Sequence, residues 1–174
     1  MKPTIKAFSG CYFDFVDLES NVIEISDIAT GLSNCCRFVG QIEEFYSVAQ
    51  HSVLVSYFVT PEFALAGLLH DSAEAYIHDI SAPLKQLLPD YRAIEHRVDE
   101  FLMSHFGVRW DNATVKAADL VALATEKRDL IHADDGTDYW SVIDGVKPDP
   151  ILIRPWAPKY ARREFLARFV ELTQ

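Results

Sequence analysis

The stretch from Ala64 to Ala73 limits what this chain can fold into more than any other. Ala64, Leu65, Leu68, Leu69 and Ala73 make it apolar nearly all round, and Thr60-Pro61 ahead of it supplies an N-cap and a first-turn proline. A helix with apolar residues on every side belongs in the centre of a protein, packed against other helices. The pattern predicts this helix over Glu62 to about Ile77. His70 and Asp71 fall inside it, next to Ala66 and Gly67, which are small enough to leave room for a ligand. Two polar side chains in an apolar interior must each find a partner.

The flanking sequence reads as more helix. The first 25 residues alternate through Tyr12, Phe13, Phe15, Val16, Val22, Ile23 and Ile25, with Gly10 and Ser20-Asn21 as turn signals, and predict a short hairpin or extended lead-in. Ser26 caps a predicted helix that ends near Cys36, and Arg37 to Gln41 form a loop. Ser47 caps a helix over Val48 to Val59 whose buried face carries Val48, His51, Val55 and Phe58. Pro83 and Pro89 bracket a short segment with Lys85. A helix from Asp90 to Phe106 follows, apolar at Tyr91, Ile94, Val98, Phe101 and Leu102, and is stopped by Gly107. Asp111 or Asn112 starts the next helix, which reaches about Ile131. Ala133 to Pro158 is rich in Asp, Gly and Pro and is the least regular part. The last helix spans about Pro158 to Leu172. Six helices with little strand predict an all-α bundle: one compact domain over residues 1–174 with a short N-terminal extended segment or hairpin.

The chain of 174 residues can bury a sizeable core, and its 49% hydrophobic and 24% charged content is ordinary for a globular domain. Its net charge of −10, from 16 basic and 26 acidic residues, disfavours binding to duplex nucleic acid or to a membrane surface. It leaves room for a phosphorylated small molecule, which needs only a local cluster of cations in a cleft. No apolar run is long enough to span a bilayer, and Met1-Lys2-Pro3-Thr4 lacks the apolar core of a secretion signal. Cys11, Cys35 and Cys36 form no CxxC pair, so a reducing cytoplasm is the expected home.

His51 and Asp119 complete a set of two imidazoles and two carboxylates with His70 and Asp71, the donors a hard or borderline divalent cation takes for phosphate chemistry. A histidine on an apolar face is more often a satisfied core residue, and Lys116 could pair with Asp119 along one helix. One cation shared between neighbouring helices accounts for all four residues together. Arg37, a planar fork, and Lys85, a point charge, are the best phosphate clamps, with solvated surface cations as the plain alternative. His78 reads as a second-metal ligand or, more simply, as a helix-terminal histidine. Trp140 and Trp156 line a base pocket or cover the core.

The order His51, His70-Asp71, Asp119 resembles the HD-domain superfamily of metal-dependent phosphohydrolases. The segments Asp27-Ile28-Ala29, Arg37-Phe38, Phe45 to Ser52, Leu68 to Asp71, Glu74-Ala75-Tyr76, Asp79-Ile80, Pro83-Leu84-Lys85 and Trp156 are similar to a phage and bacterial branch of it. That branch includes 5′-deoxynucleotidases and phage dATP triphosphohydrolases, enzymes that accompany replacement of adenine by 2-aminoadenine in viral genomes.

The resemblance implies one divalent ion on His51, His70, Asp71 and Asp119. Two imidazoles favour Zn2+ or Co2+, with Mn2+, Fe2+ and Mg2+ open. It implies Glu74 as the residue that orients or deprotonates water and passes a proton to the leaving group, Phe38 as an aromatic beside the nucleoside, and Asp79 as an acid near the sugar. A core phenylalanine and an exposed helical glutamate are the bland readings of Phe38 and Glu74. The expected substrate is dATP, cleaved to deoxyadenosine and triphosphate or stepwise, in a host cytoplasm if phage-encoded. The alternatives are a 5′-deoxynucleotidase acting on monophosphates and a nucleotide-binding HD protein without catalysis. Relatives form dimers or rings of dimers, so a homo-oligomer is expected, with no nucleic-acid or membrane partner. Two departures stand out: Thr30 occupies a place where relatives often carry histidine, and Gly40 offers no side chain to police a base.

Overall fold

The computed structural model describes residues 2–131 and 140–174. His132 and the first part of the Asp-, Gly- and Pro-rich stretch lie outside them. The fold is all-α with a short N-terminal hairpin, as the sequence predicts. β1 (Thr4–Lys6) and β2 (Tyr12–Asp14) pair antiparallel with Ile5 opposite Phe13. Phe13 turns inward and stacks on Tyr76 at 4.0 Å between ring centroids, which docks the hairpin on the helices. Asp27 ties down the hairpin's turn by accepting from the Ser9 amide and hydroxyl, at 2.7 and 2.8 Å.

The helices are α1 (Ile25–Asn34), α2 (Val48–Phe58), α3 (Ala64–Leu69), α4 (Glu74–Ile77), α5 (Ala82–Lys85), α6 (Pro89–Phe106), α7 (Ala113–Leu130) and α8 (Pro158–Thr173). Several termini follow from local chemistry. The Ser47 side chain accepts from the Gln50 amide at the start of α2, Asn112 does the same for Val115 at the start of α7, and Gly107 closes α6 in the left-handed region at φ 64°. α1 begins at Ile25, so Ser26 sits in its first turn and is not its cap. On α6, Val98 and Leu102 are buried, while Ile94 stays exposed.

α2 and α3 pack as the central pair; α8 lies across α1 and α2, and α7 flanks α2. The core is drawn from Ile28, Leu32, Val48, Val55, Leu68, Leu69, Val98, Leu102 and Phe165, all fully buried. Gly67 serves this packing. A Cβ on it would lie 3.2 Å from the Ser56 Cα and from the Val55 carbonyl oxygen, so the space beside it belongs to α2 and not to a ligand, contrary to the expectation from sequence. Thr30 links two helices: its hydroxyl accepts from Arg162 of α8 at 2.8 Å and donates to the Ser26 carbonyl of α1 at 2.6 Å.

The predicted continuous helix from Glu62 to Ile77 is a series of pieces. Pro61–Phe63 form one 3-10 turn, α3 ends at Leu69, and His70 to Ala73 form a tight turn before α4. The amides of Ser72, Glu74 and Ala75 bond three residues back, to Leu69, Asp71 and Ser72. His70 and Ala73, at the two ends of the turn, both keep right-handed backbone angles, so the path continues while the winding tightens. His70 and Asp71 therefore stand where the helix leaves its regular geometry.

Candidate metal centre

Three helices bring the predicted donors together. His51 projects from the first turn of α2, His70 caps α3 and Asp119 lies on the second turn of α7. The His51 and His70 Nε2 atoms stand 3.3 Å apart, and Asp119 Oδ1 is 3.1 Å from the first and 3.9 Å from the second. These three residues form a group whose donor atoms all lie within 4.8 Å of one another and could hold a metal ion. Donors bound to one ion at about 2.0–2.2 Å stand roughly 3 to 3.5 Å from each other, close to what is seen. Asp71 divides itself between the imidazoles, with Oδ1 3.3 Å from His70 Nε2 and Oδ2 3.6 Å from His51 Nε2.

The far side of each ring fixes the tautomer. His70 Nδ1 lies 2.8 Å from the Gly67 carbonyl oxygen, which can only accept, so Nδ1 donates. His51 Nδ1 lies 2.6 Å from Glu126 Oε1. Glu126 is wholly buried. Burial opposes its ionisation, but Arg37 and His51 outweigh that and hold its carboxyl below the usual range, so it too accepts. With both Nδ1 atoms donating outward, two neutral imidazoles would turn bare Nε2 lone pairs toward each other and toward a carboxylate. That arrangement calls for a cation. Without a metal the positive charge falls on His51: burial and Arg37 resist it, yet Glu126 and Asp119 prevail and push its pKa up to about 10. Asp119 is held well below the usual carboxylate range, because His51, His70 and Arg37 overcome its desolvation. The donor chemistry therefore fits a divalent ion.

The ligands grade from inside to outside. The His51 side chain is 0% exposed, that of His70 9%, and that of Asp119 38%. A cavity of about 450 Å³, lined by His70, Trp110, Asn112, Val115, Lys116 and Asp119, opens on the exposed side. Lys116 faces this cavity, and the ion pairs of Asp119 among the described residues are with the two histidines, so the intrahelical pairing weighed from sequence is not seen.

Arg37 sits just after a β-bridge between Cys36 and Ser47, where its amide bonds to the Tyr46 carbonyl at 2.9 Å. This bridge closes the loop and seats Arg37 beside α2. The segment Arg37–Gly40 is a 3-10 turn with Phe38 and Val39 at positive φ, 56° and 54°, not the plain loop expected. Arg37 is no solvated cation: its side chain is 12% exposed, 3.0 Å from Glu126 Oε2 and 3.7 Å from Asp71 Oδ2. Its Nε is buried with no hydrogen-bond partner among the described residues. Phe38 is half-buried under the Arg37 guanidinium, its ring 6.1 Å from that of Trp140.

Glu74 opens α4. Its side chain is 10% exposed, Oε1 lies 3.5 Å from Lys85 Nζ, and Oε2 is buried without a partner among the described residues. Burial, then Asp71 and Asp79, push its carboxyl well above the usual range. This is no exposed helical glutamate. Burial also raises Asp79, with Asp71 adding to the shift. Lys85 is bonded to Glu95 at 2.6 Å as well as facing Glu74, so it too is a paired cation. His78 is exposed at the end of α4, with Nδ1 3.6 Å from Cys35 Sγ, and lies outside the metal-capable group. Trp156 borders a separate apolar pocket with Tyr46, Val53 and Tyr57. Its amide donates to Gln50 Oε1 at 2.8 Å, while Gln50 Nε2 donates to the Arg154 carbonyl at 2.8 Å.

Glu126 is the residue that sequence reasoning missed. It lies seven residues after Asp119, two helical turns on and therefore on the same face of α7. That spacing was the available signal.

YfdR of Escherichia coli, an uncharacterized protein, is 46% identical over 172 residues, which cover 98% of this chain and 96% of the relative. The chain belongs to the YfdR family. An uncharacterized protein of Rhodobacter capsulatus is 31% identical over 183 residues, covering 94% of this chain and 92% of its own length. No protein-family model matches the chain. A YfdR match of that extent includes the stretch that carries the candidate centre. Among the described residues no helix is long and apolar enough to cross a membrane.

Proposed function

We propose that the protein is a metal-dependent phosphohydrolase of the HD type that acts on deoxynucleotides, with dATP as the favoured substrate. One observation carries this reading: His51 and His70 turn their Nε2 atoms toward each other and toward Asp119, with both Nδ1 atoms committed elsewhere. His51, His70 and Asp119 would hold the ion, with Asp71 as the fourth ligand, and Zn2+ or Co2+ suits two imidazoles best. Such an ion supplies Lewis-acid polarisation of a phosphate oxygen and makes water a better nucleophile near neutral pH.

The chain's own groups account for the rest. Glu74 Oε2, buried and unpartnered among the described residues, is the proton carrier. It takes a proton from the attacking water as the new P–O bond forms at the α-phosphorus. It then gives that proton to the 5′-oxygen as the P–O5′ bond breaks, so that dATP and water become deoxyadenosine and triphosphate. A carboxyl whose proton affinity is raised by burial suits both halves of that transfer. Arg37 offers its unpaired Nε, and Lys85 its charge, to the phosphate oxygens, each sharing the phosphate with carboxylates it already holds. Phe38 and Asp79 are assigned to the nucleoside and the sugar.

The test is incubation of zinc- or cobalt-loaded protein with the four dNTPs and, separately, the four dNMPs, with products separated by ion-exchange chromatography. Release of triphosphate from dATP supports the proposal. Phosphate release from dAMP alone favours a 5′-deoxynucleotidase, and nucleotide binding without turnover of either set defeats hydrolysis.

A further inference from the structure

Glu126 is a fully buried carboxylate whose two oxygens both go to residues of the centre. Oε1 accepts from His51 Nδ1 at 2.6 Å, and Oε2 accepts from the Arg37 guanidinium at 3.0 Å. A buried charge costs several kcal/mol unless its partners are well placed. An apolar side chain at this position would fill the same volume without that cost. The charge is therefore explained by what it touches.

The contrast with His70 is informative. His70 rests its Nδ1 on a neutral backbone carbonyl, whereas His51 rests its Nδ1 on an anion. An imidazole backed by a carboxylate is the more basic ligand, and its ring is fixed in orientation and tautomer. α7 thus supplies a candidate ligand at Asp119 and, two turns later, the group that orients a second candidate ligand from another helix.

We propose that Glu126 is a positioning residue of the metal centre: it fixes His51 as an Nε2 ligand through Oε1 and holds Arg37 beside Asp71 through Oε2. This rests on the reading of the centre as a metal site and deepens it. Glu126 touches neither ion nor substrate. Its effect passes through His51 to the cation and through Arg37 to the phosphate.

The experiment is cobalt titration of the full chain, followed by visible absorption, for wild type, Glu126→Gln and Arg37→Met. The glutamine keeps size and one acceptor but loses the charge, so cobalt affinity falls about 10- to 100-fold and the cobalt absorption bands shift. Arg37→Met leaves Glu126 on His51, so its cobalt affinity and bands stay near wild type while KM for the nucleotide rises. Unchanged affinity and bands in Glu126→Gln, whatever its melting temperature, overturn the proposal. So does an equal loss in both variants. If Glu126→Gln does not fold, nitrogen-15 NMR of wild-type protein loaded with zinc decides. A strongly deshielded His51 Nδ1 proton with Nε2 on the metal supports the assignment, and metal on Nδ1 refutes it. Wild type that binds no cobalt overturns this proposal together with the metal centre. Wild type that binds cobalt and turns over no nucleotide removes only the hydrolase reading, and the role of Glu126 is then judged on the spectra.

Discussion

Gly31 of α1 and Ala75 of α4 meet backbone to backbone. A Cβ on Gly31 would stand 2.7 Å from the Ala75 carbonyl oxygen and 2.8 Å from its Cα, closer than such atoms approach. Ala75 follows Glu74, so this contact sets the depth at which the proposed proton carrier sits. Gly31→Ala must push α4 away, at a cost of about 1–3 kcal/mol for overpacking. For a chain of this size that corresponds to a melting temperature lower by roughly 2–12 °C. Turnover should fall with it. A variant that melts with the wild type would show that the helices have slack at this point.

Glu74→Gln removes the proposed proton carrier while keeping its shape. The expected result is a kcat lower by roughly 10²- to 10⁴-fold, the usual contribution of general acid–base catalysis, with metal affinity retained. Steady-state kinetics beside a cobalt titration separate the two. Retained kcat would pass the proton to another group, with Asp79 the nearest half-buried carboxyl in sequence outside the proposed ligands.

Ion binding should report on folding, because the donors come from three helices. At a free concentration of zinc about 100 times its Kd, the folded state gains about 2.7 kcal/mol. That raises the melting temperature by roughly 5–10 °C, and a chelator reverses the gain. Asp119→Asn should erase most of the response. A melting curve indifferent to zinc, cobalt and manganese would argue against the centre.

Asp99 on α6 gives the pH dependence. Burial, then Glu95 and Asp71, push its carboxyl up to about 7, and Oδ1 has no hydrogen-bond partner among the described residues. Between about pH 4, where an unfolded aspartate titrates, and pH 7 the folded chain retains a proton that the unfolded chain has released. The folded state binds more protons in that window, so this group lowers stability as pH rises through it, and the penalty is complete above 7. Asp99→Asn cannot ionise. It should melt higher than wild type at pH 8, and the gap should close toward pH 4. A constant gap across this range would assign the effect to packing.

His51, His70 and Asp119 were legible in the sequence because each is a polar residue on an otherwise apolar helix face, and faces follow from spacing. Glu126 shares its face with Asp119 but reads as one more acid in an acidic chain; its partners Arg37 and His51 lie 89 and 75 residues away. Nothing local announces such pairings. The same holds for Arg37 and Lys85, whose types were plain while their carboxylate partners were not. The break after Leu69 was hidden for a different reason: no glycine or proline marks it, and both ends of the turn keep helical backbone angles while its hydrogen bonds shift by one residue. Phe38 and Val39 at positive φ were equally silent, since bulky residues rarely adopt that conformation and no pattern foretells it.

The side chain of Gln50 offers one donor and one acceptor in line, as a peptide unit does, and residues 154–156 bond to it as an extended strand bonds to a neighbour. The polypeptide just ahead of α8 is thereby stitched to the residue adjoining His51. Peeling the carboxy-terminal arm away would strand both ends of a buried amide on the same turn that carries an imidazole of the centre. A loosened arm would therefore disturb the candidate centre through Gln50, the neighbour of His51.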